Sequence, residues 1–115
     1  MTQNAVQTDR EVIEQAISRF VHMLNSHCPA NLAPLMTADV ELLADEEAKG
    51  TDAVNAFFVR LWEAYPCISF KVESTIIDEN RAAVEVSYRS GPNNHGARCL
   101  VIKFRDGLLR RVRCY

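Results

Sequence analysis

The hydrophobic pattern of this chain changes its period once, near Ile68, and that change limits the folds it can adopt. Before Ile68, apolar residues recur at every third or fourth position, which is typical of one face of an α-helix. From Ile68 onward, apolar and polar residues alternate, as they do in strands with one buried face. Because the helical segments precede a run of strands, the pattern predicts an α+β fold with helices on one face of an antiparallel sheet.

The stretch from Gly50 to Pro66 predicts the central helix. Gly50 breaks the preceding segment, and Thr51 is expected to cap the first turn by accepting from backbone N–H groups. Pro66 ends the helix, because the residue before a proline favours extended geometry. One face carries six large apolar residues: Val54, Phe57, Phe58, Leu61, Trp62 and Tyr65. Since burying a side chain of this size stabilises a fold by roughly 1.5–3 kcal/mol, the rest of the chain should form a concave surface against it.

Two further helices and a short strand are predicted before the central helix. Residues 9–26 carry an apolar stripe typical of an amphipathic helix, and the segment NLAPLM predicts a short helix capped by Asn31. Residues 39–43 predict the first strand. An acidic loop at residues 45–47 then leads back to the central helix.

Four strands are predicted after the central helix: 68–76, 82–88, 97–105 and 108–115. The last two are joined by Asp106–Gly107, a pair typical of two-residue hairpin turns. The full prediction is a single α+β domain over residues 9–115, with about three helices on a curved, mostly antiparallel sheet. Residues 1–8 are polar and are expected to form a disordered N-terminus.

The register of the last hairpin predicts which of its residues share a face. The pairs on one face are Phe104 with Leu109, Ile102 with Arg111, and Leu100 with Arg113. The pairs on the other face are Lys103 with Arg110, Val101 with Val112, and Cys99 with Cys114. The first face is bulkier and is expected to pack against the helices. The second is expected to form a homodimer interface through the sheet, with a merely solvated sheet as the alternative.

The composition argues against several classes of partner. A chain of 115 residues with a net charge of −2 and 48% hydrophobic residues is typical of one soluble domain. Neither a nucleic acid nor a membrane is expected as a partner, because the sequence has no basic surface interleaved with aromatic residues and no long apolar segment. A secretory signal is not recognisable, so a cytoplasmic location is expected.

The four cysteines and three histidines are scattered without the spacing of metal ligands. No metal and no cofactor is therefore expected, and the thiols are expected to be free in a reducing compartment. Cys99 and Cys114, opposed in the predicted hairpin, could pair under oxidising conditions.

Four segments, taken in order, resemble the nuclear transport factor 2-like superfamily, which includes the SnoaL-like cyclases and the ketosteroid isomerases. They are SRFVHMLNS in the first helix, NLAPLMTADVEL at the first strand, KGTDAVNAFF at the central helix, and FRDGLLRRV at the last hairpin. The quoted segments run from residue 18 to residue 112, and the resemblance covers about residues 9–115. The resemblance implies a cone-shaped, cystatin-like domain whose helices and sheet enclose an apolar pocket, and commonly a dimer formed through the sheet.

The resemblance also bears on catalysis. Ketosteroid isomerases use a base near the first strand, a tyrosine on the first helix and a protonated acid on the penultimate strand. The matching positions here are Leu42, Phe20 and Ile102, and none of these side chains can transfer a proton. The remaining catalytic candidates are Asp45 and Glu41, either of which could act as a base from a neighbouring position. The alternative is that Asp45 belongs to a solvated loop.

The pocket implied by this resemblance has eight expected residues: Phe20, Leu42, Phe58, Trp62, Tyr88, Ile102, Phe104 and Arg111. Arg111 could bind a carboxylate or phosphate there. The alternatives are that it extends to solvent at the edge of the cone or pairs with Glu41 or Asp45. The favoured hypothesis is a SnoaL-like domain that binds a small apolar molecule, with or without an anionic group, and that could support weak isomerase, cyclase or hydrolase chemistry. The alternative is a non-catalytic dimeric interaction module whose cone is filled by side chains.

Overall fold

The computed structural model describes residues 9–115, in which two α-helices cover one face of a six-stranded sheet. Its elements are α1 (Asp9–Ser26), β1 (Met36–Leu43), β2 (Glu47–Lys49), α2 (Thr51–Ala64), β3 (Ser69–Asp78), β4 (Arg81–Arg89), β5 (His95–Arg105) and β6 (Leu108–Cys114). The strand order is β2-β1-β6-β5-β4-β3; β1 and β6 pair in parallel, and the other neighbours are antiparallel. The α+β prediction is thereby confirmed, while the disordered N-terminus predicted for residues 1–8 lies outside the described residues.

α1 packs against β3 through a stripe of apolar residues. Ile13, Ile17, Phe20 and Leu24 recur at intervals of three or four residues, and each is at most 4% exposed. This spacing places them on one face of the helix. We call the side of the sheet that this helix covers the inner face, and the opposite side the outer face.

The short helix predicted in NLAPLM is instead a pair of 3₁₀ turns, Pro29–Asn31 and Ala33–Leu35. Leu32, between the two turns, is fully buried and anchors them to the core. β1 begins at Met36, three residues earlier than predicted, so too few residues remain for a regular α-helix.

α2 begins at the predicted position but with a different cap. Gly50 has a φ of +87°, which glycine adopts far more easily than other residues. Its N–H donates to the carbonyl of Val40 over 2.7 Å, and its own carbonyl accepts from the N–H of Val54. Gly50 is therefore the N-cap and ties the helix to β1, whereas Thr51 is already helical and the prediction that it caps the helix is wrong.

The side chains of β3 change the face to which they point partway along the strand. Its pairing with β4 shifts between Val72 and Ser74, which indicates a β-bulge. Beyond the bulge, Ile77 lies opposite the buried Ala82, and Ile76 turns outward with 70% of its surface exposed. The simple alternation predicted for this strand, with Ile76 inside, is therefore wrong after Val72.

A second bulge changes the register of the last hairpin. Phe104 lies opposite Leu109 as predicted, and Arg110 is then an extra residue in β6. The pairs that follow are Lys103 with Arg111, Ile102 with Val112, Val101 with Arg113, and Leu100 with Cys114. The predicted pairs of Ile102 with Arg111 and Leu100 with Arg113 are therefore wrong.

This bulge decides which residues face the helices. It gives the inner face both Leu109 and Val112, which are 1% and 4% exposed, and it turns Arg111 to the outer face. The predicted pairing of Cys99 with Cys114 is also wrong, because Cys99 exchanges backbone hydrogen bonds with Tyr115. Both thiols are free.

Candidate functional site

The helices and the inner face of the sheet enclose a cavity of about 520 Å³. Its apolar lining residues are Phe20, Leu24, Leu42, Ala44, Phe57, Phe58, Leu61, Ile68, Phe70, Val86, Leu100 and Val112. Its polar and amphipathic lining residues are Asp45, Tyr65, Tyr88, Ser90, Asn94, Arg98, Cys114 and Tyr115. Small-molecule sites in proteins are typically clefts of roughly 300–1,000 Å³, so this cavity lies within the usual range.

The deep end of the cavity is an aromatic wall. Phe58 of α2 meets Phe20 of α1 edge-on with 6.0 Å between ring centres, and it meets Phe57 edge-on at 5.3 Å. Edge-on aromatic pairs are favourable beyond the area that they bury. Phe57, Phe58, Leu61 and Tyr65 line the cavity, so this part of α2 and its C-terminal cap form one side of it.

The mouth of the cavity is formed by exposed polar and amphipathic side chains. Asp45, Tyr65, Asn94, Arg98 and Tyr115 all line the cavity and are all exposed. The cavity therefore opens to solvent between them, and a molecule could enter there without unfolding the core.

Arg98 contributes a cation to this mouth. It lies opposite Val86 in the β4–β5 ladder, so it points to the inner face together with Leu100. Its guanidinium carbon lies 5.8 Å from the ring centre of Tyr88, within cation–π range. Its hydrogen bond to the carbonyl of Ala97 is long, at 3.5 Å.

The thiol of Cys114 lies close to the charges of the mouth. Burial raises the pKa of the Cys114 thiol above its ordinary value; Arg98 opposes this shift, and Asp45 adds to it. A thiol with a raised pKa is mostly protonated at neutral pH and is a poor nucleophile. The arrangement therefore does not favour covalent chemistry at Cys114.

Four of the eight expected pocket residues line the cavity: Phe20, Leu42, Phe58 and Tyr88. The candidate base Asp45 lines it as well. Ile102 and Phe104 are on the inner face, but each is only 1% exposed and belongs to the core beneath the helices.

Trp62 is also a core residue and does not line the cavity. Its Nε1–H donates to the carbonyl of Leu24 over 3.1 Å, and its ring stacks on His27 with 5.4 Å between ring centres. The indole is 6% exposed. Trp62 therefore connects α2 to the C-terminal end of α1. These contacts account for an aromatic residue at position 62, and no ligand is needed to explain it.

The remaining two candidates, Glu41 and Arg111, lie on the outer face. Glu41 accepts hydrogen bonds from Nε of Arg111 over 3.2 Å and from Nη1 of Arg110 over 3.3 Å. These bonds, that of Arg111 foremost, lower the pKa of Glu41. Arg111 is therefore paired with Glu41, which is one of the alternatives predicted for it, and the bulge at Arg110 keeps it out of the cavity.

Asp39 extends this ion cluster on the outer face. Its carboxylate accepts from Nη2 of Arg105 over 2.6 Å and lies 3.3 Å from Nε of Arg110. The hydrogen bond from Arg105 is the main cause that lowers the pKa of Asp39 from 3.8 to about 2. The ion cluster links β1 to β5 and β6 on the outer face of the sheet. It lies away from the cavity.

Two further observations concern metal binding and membrane insertion. Within residues 9–115, no group of three or more His, Cys, Asp or Glu side chains is arranged to hold a metal ion. No helix in the same range is long and apolar enough to cross a bilayer.

Solved structures with the same fold include very different proteins. Bal32a, from a soil-derived mobile gene cassette, is 17% identical over 94% of this chain and 91% of its own, with a TM-score of 0.84. An LEH-like epoxide hydrolase of M. tuberculosis is 16% identical over 91% of this chain and 82% of its own, with a TM-score of 0.76. A de novo designed protein with a curved β-sheet is 22% identical over 91% and 84%, with a TM-score of 0.80. At these identities the likeness shows the fold alone.

The sequence itself identifies the family. No curated protein matches this chain. The family model of the SnoaL-like domain, however, matches residues 17–112, a span that includes α2, β1 to β5, most of β6 and most of the cavity lining. The predicted resemblance to the nuclear transport factor 2-like superfamily is thereby confirmed, and the chain belongs to the SnoaL-like domain family.

Proposed function

We propose that this protein binds a small, mainly apolar molecule in the cavity between its helices and its sheet. The observation that carries the proposal is the cavity of about 520 Å³, which has an apolar interior and polar side chains at its mouth. The aromatic side chains Phe20 and Phe57 form its walls and leave its interior open, while Trp62 and Phe104 pack elsewhere. A few polar groups at the mouth of an apolar cleft are the usual means of orienting a ligand.

Binding accounts for this cavity more directly than proton transfer does. Leu42, Phe20 and Ile102, which occupy the positions matched to the isomerase groups, are apolar and buried. Asp45 is the carboxylate of the lining. Weak isomerase, cyclase or hydrolase chemistry on a bound molecule would therefore have to begin with Asp45 as the base.

A cavity-filling substitution tests the proposal. Ala44 is half-buried in the lining, so Ala44→Trp places an indole in the cavity; Ala56 is exposed on α2 outside the lining, and Ala56→Trp is the matched control. Small apolar compounds that raise the melting temperature of the wild-type protein are titrated against all three proteins by calorimetry. We expect equal binding to the wild type and Ala56→Trp, and binding at least tenfold weaker to Ala44→Trp. Equal binding to all three proteins, or no stabilising compound, would argue against the proposal.

The outer face of the sheet supports a second proposal, that the protein forms a homodimer through this face. A row of neighbouring residues across the strands is apolar: Ile76, Ala83 and Val101. Ile76 is 70% exposed, and Ala83 and Val101 are half-buried. Covering such a row with the same row of a second copy would satisfy the symmetry of a two-fold dimer.

A further inference from the structure

Arg98 differs from the arginines of the outer ion cluster in having no anionic partner. Arg105 is paired with Asp39, and Arg111 with Glu41. Within residues 9–115, by contrast, the guanidinium of Arg98 forms no ion pair with a carboxylate. A guanidinium carries five N–H donors in a fixed planar fork. The mouth of the cavity therefore presents donors that the described protein itself leaves largely unused.

The surroundings of Arg98 fix how these donors are presented. The ring of Tyr88 lies 5.8 Å from the guanidinium carbon, so the cation rests against an aromatic ring of the cavity wall. A cation–π contact uses the face of the ring and leaves the N–H edges of a guanidinium available. These edges match the geometry of a planar carboxylate, which can accept two parallel hydrogen bonds.

The charge of the lining selects the class of anion. Among the side chains that line this cavity, all of which lie in the described part of the chain, Arg98 is the only Lys or Arg and Asp45 the only Asp or Glu. One cation can neutralise one negative charge. A dianion such as a phosphate monoester would keep an unbalanced charge near Asp45, and such repulsion is unfavourable in a partly dry site.

We propose that Arg98 recognises a carboxylate on the bound molecule, so that the ligand has an apolar body in the cavity and a carboxylate at its mouth. This inference rests on the proposed binding function and names the substrate class of that site. The carboxylate lies against the N–H edge of Arg98, and the apolar part reaches towards Phe20 and Phe58 at the deep end.

Three probes that share a naphthalene body test this inference: naphthalene-1-acetate, its neutral isostere naphthalene-1-acetamide, and the dianion 1-naphthyl phosphate. Each is titrated by calorimetry into the wild-type protein, Arg98→Gln and Arg113→Gln. Arg113 is exposed on the outer face of β6, so its substitution removes the same charge without touching the cavity. Circular dichroism shows whether each variant keeps the fold.

The wild type and Arg113→Gln should bind the acetate about tenfold or more tightly than the acetamide, since a hydrogen-bonded charge is typically worth that factor or more. In Arg98→Gln the two affinities should become equal, with the affinity for the acetamide unchanged. Raising the salt concentration should weaken acetate binding to the wild type but not to Arg98→Gln.

The outcomes separate this inference from the function on which it rests. Equal affinities of the wild type for acetate and acetamide would overturn the role of Arg98 and leave the binding function standing. A phosphate that binds more tightly than the acetate would overturn the assignment of a carboxylate. Failure of all three probes and of the wider compound screen would overturn both.

Discussion

Gly96 of β5 lies opposite Tyr88 of β4, and the phenol of Tyr88 occupies the space that a side chain at position 96 would need. A methyl group on Gly96 would lie 2.7 Å from the hydroxyl oxygen of Tyr88 and 2.9 Å from the ring carbon that bears it. These distances are well below van der Waals contact. The absence of a side chain at Gly96 therefore allows Tyr88 to lie where it forms part of the cavity wall and meets Arg98.

Substituting Gly96 by alanine should displace Tyr88. We expect Gly96→Ala to lower the free energy of unfolding by about 1–3 kcal/mol, the usual cost of overpacking, and to weaken ligand binding in the cavity. In a Tyr88→Ala background the clash is gone, so the same substitution should cost almost nothing. Urea denaturation of the four proteins of this double-mutant cycle measures the coupling. An equal cost in both backgrounds would show that the contact with Tyr88 does not restrict position 96.

The ion pair of Asp39 should make part of the stability depend on pH. The pKa of Asp39 is about 2 in the folded protein against an ordinary 3.8. A carboxyl group whose pKa is lower in the folded state stabilises the fold above its unfolded pKa, and this stabilisation is lost as the pH falls through the folded pKa. The difference in melting temperature between the wild type and Asp39→Asn should therefore be constant at pH values above 3.8. It should decrease as the pH falls below 3.8 and vanish towards about pH 2.

The Asp39 effect should also be small and sensitive to salt, because both partners are about half exposed. Asp78→Asn, at an exposed position without an ion pair in the described structure, is the control and should not reproduce this pH dependence. A difference between the wild type and Asp39→Asn that stays the same down to pH 2 would contradict the role of the Arg105 hydrogen bond.

The hydrogen bond of Trp62 should contribute to stability and not to binding. Trp62→Phe leaves the carbonyl of Leu24 without its donor and loosens the stack on His27. An unsatisfied buried acceptor typically costs about 1–3 kcal/mol, so we expect a loss of this size in urea denaturation. Tyr65→Phe, at a side chain 43% exposed, should change stability by less than about 0.5 kcal/mol. If Trp62→Phe leaves the free energy of unfolding unchanged, the hydrogen bond of the indole N–H does not contribute to stability.

The proposed homodimer should depend on the apolar row of the outer face. Val101→Glu or Ile76→Glu places a charge at one end of that row of three, and each should shift the protein to a monomer in analytical ultracentrifugation. Ala56→Glu adds the same charge on the helical side and should leave the association unchanged. A wild-type protein that stays monomeric at high micromolar concentration would contradict the dimer, and a dimer that survives both substitutions would place its interface elsewhere.

The sequence predicted the fold where one residue pattern had one structural solution. The aromatic stripe of α2, the stop at Pro66 and the Asp106–Gly107 turn each have an unambiguous local meaning, and all three are found as predicted. The errors in which face of the sheet a side chain takes arise at the bulges near Val72 and Arg110. A bulge adds one residue to a strand and reverses every later side chain, and neither site carries a glycine that could have marked it.

The candidate site was predicted in part of its apolar lining and at Tyr88 and Asp45, whereas its cation was not predicted. Arg111 was placed in the pocket by a register that ignores the bulge at Arg110. Arg98 was missed, although the alternation of Leu100 and Ile102 extends back to it by two residues and would have placed it on the inner face. The short strand β2 has three residues, too few for a periodic pattern, so its pairing with β1 could not be foreseen.

The most direct test of the proposed function is to locate a bound probe by nuclear magnetic resonance. Methyl-labelled protein is titrated with naphthalene-1-acetate, and intermolecular nuclear Overhauser effects are measured from the aromatic protons of the probe. The cavity model predicts contacts with the methyl groups of Leu42, Val86 and Leu100, which line the cavity. Contacts confined to Ile76 and Val101 on the outer face, or no contacts at saturating probe, would contradict it.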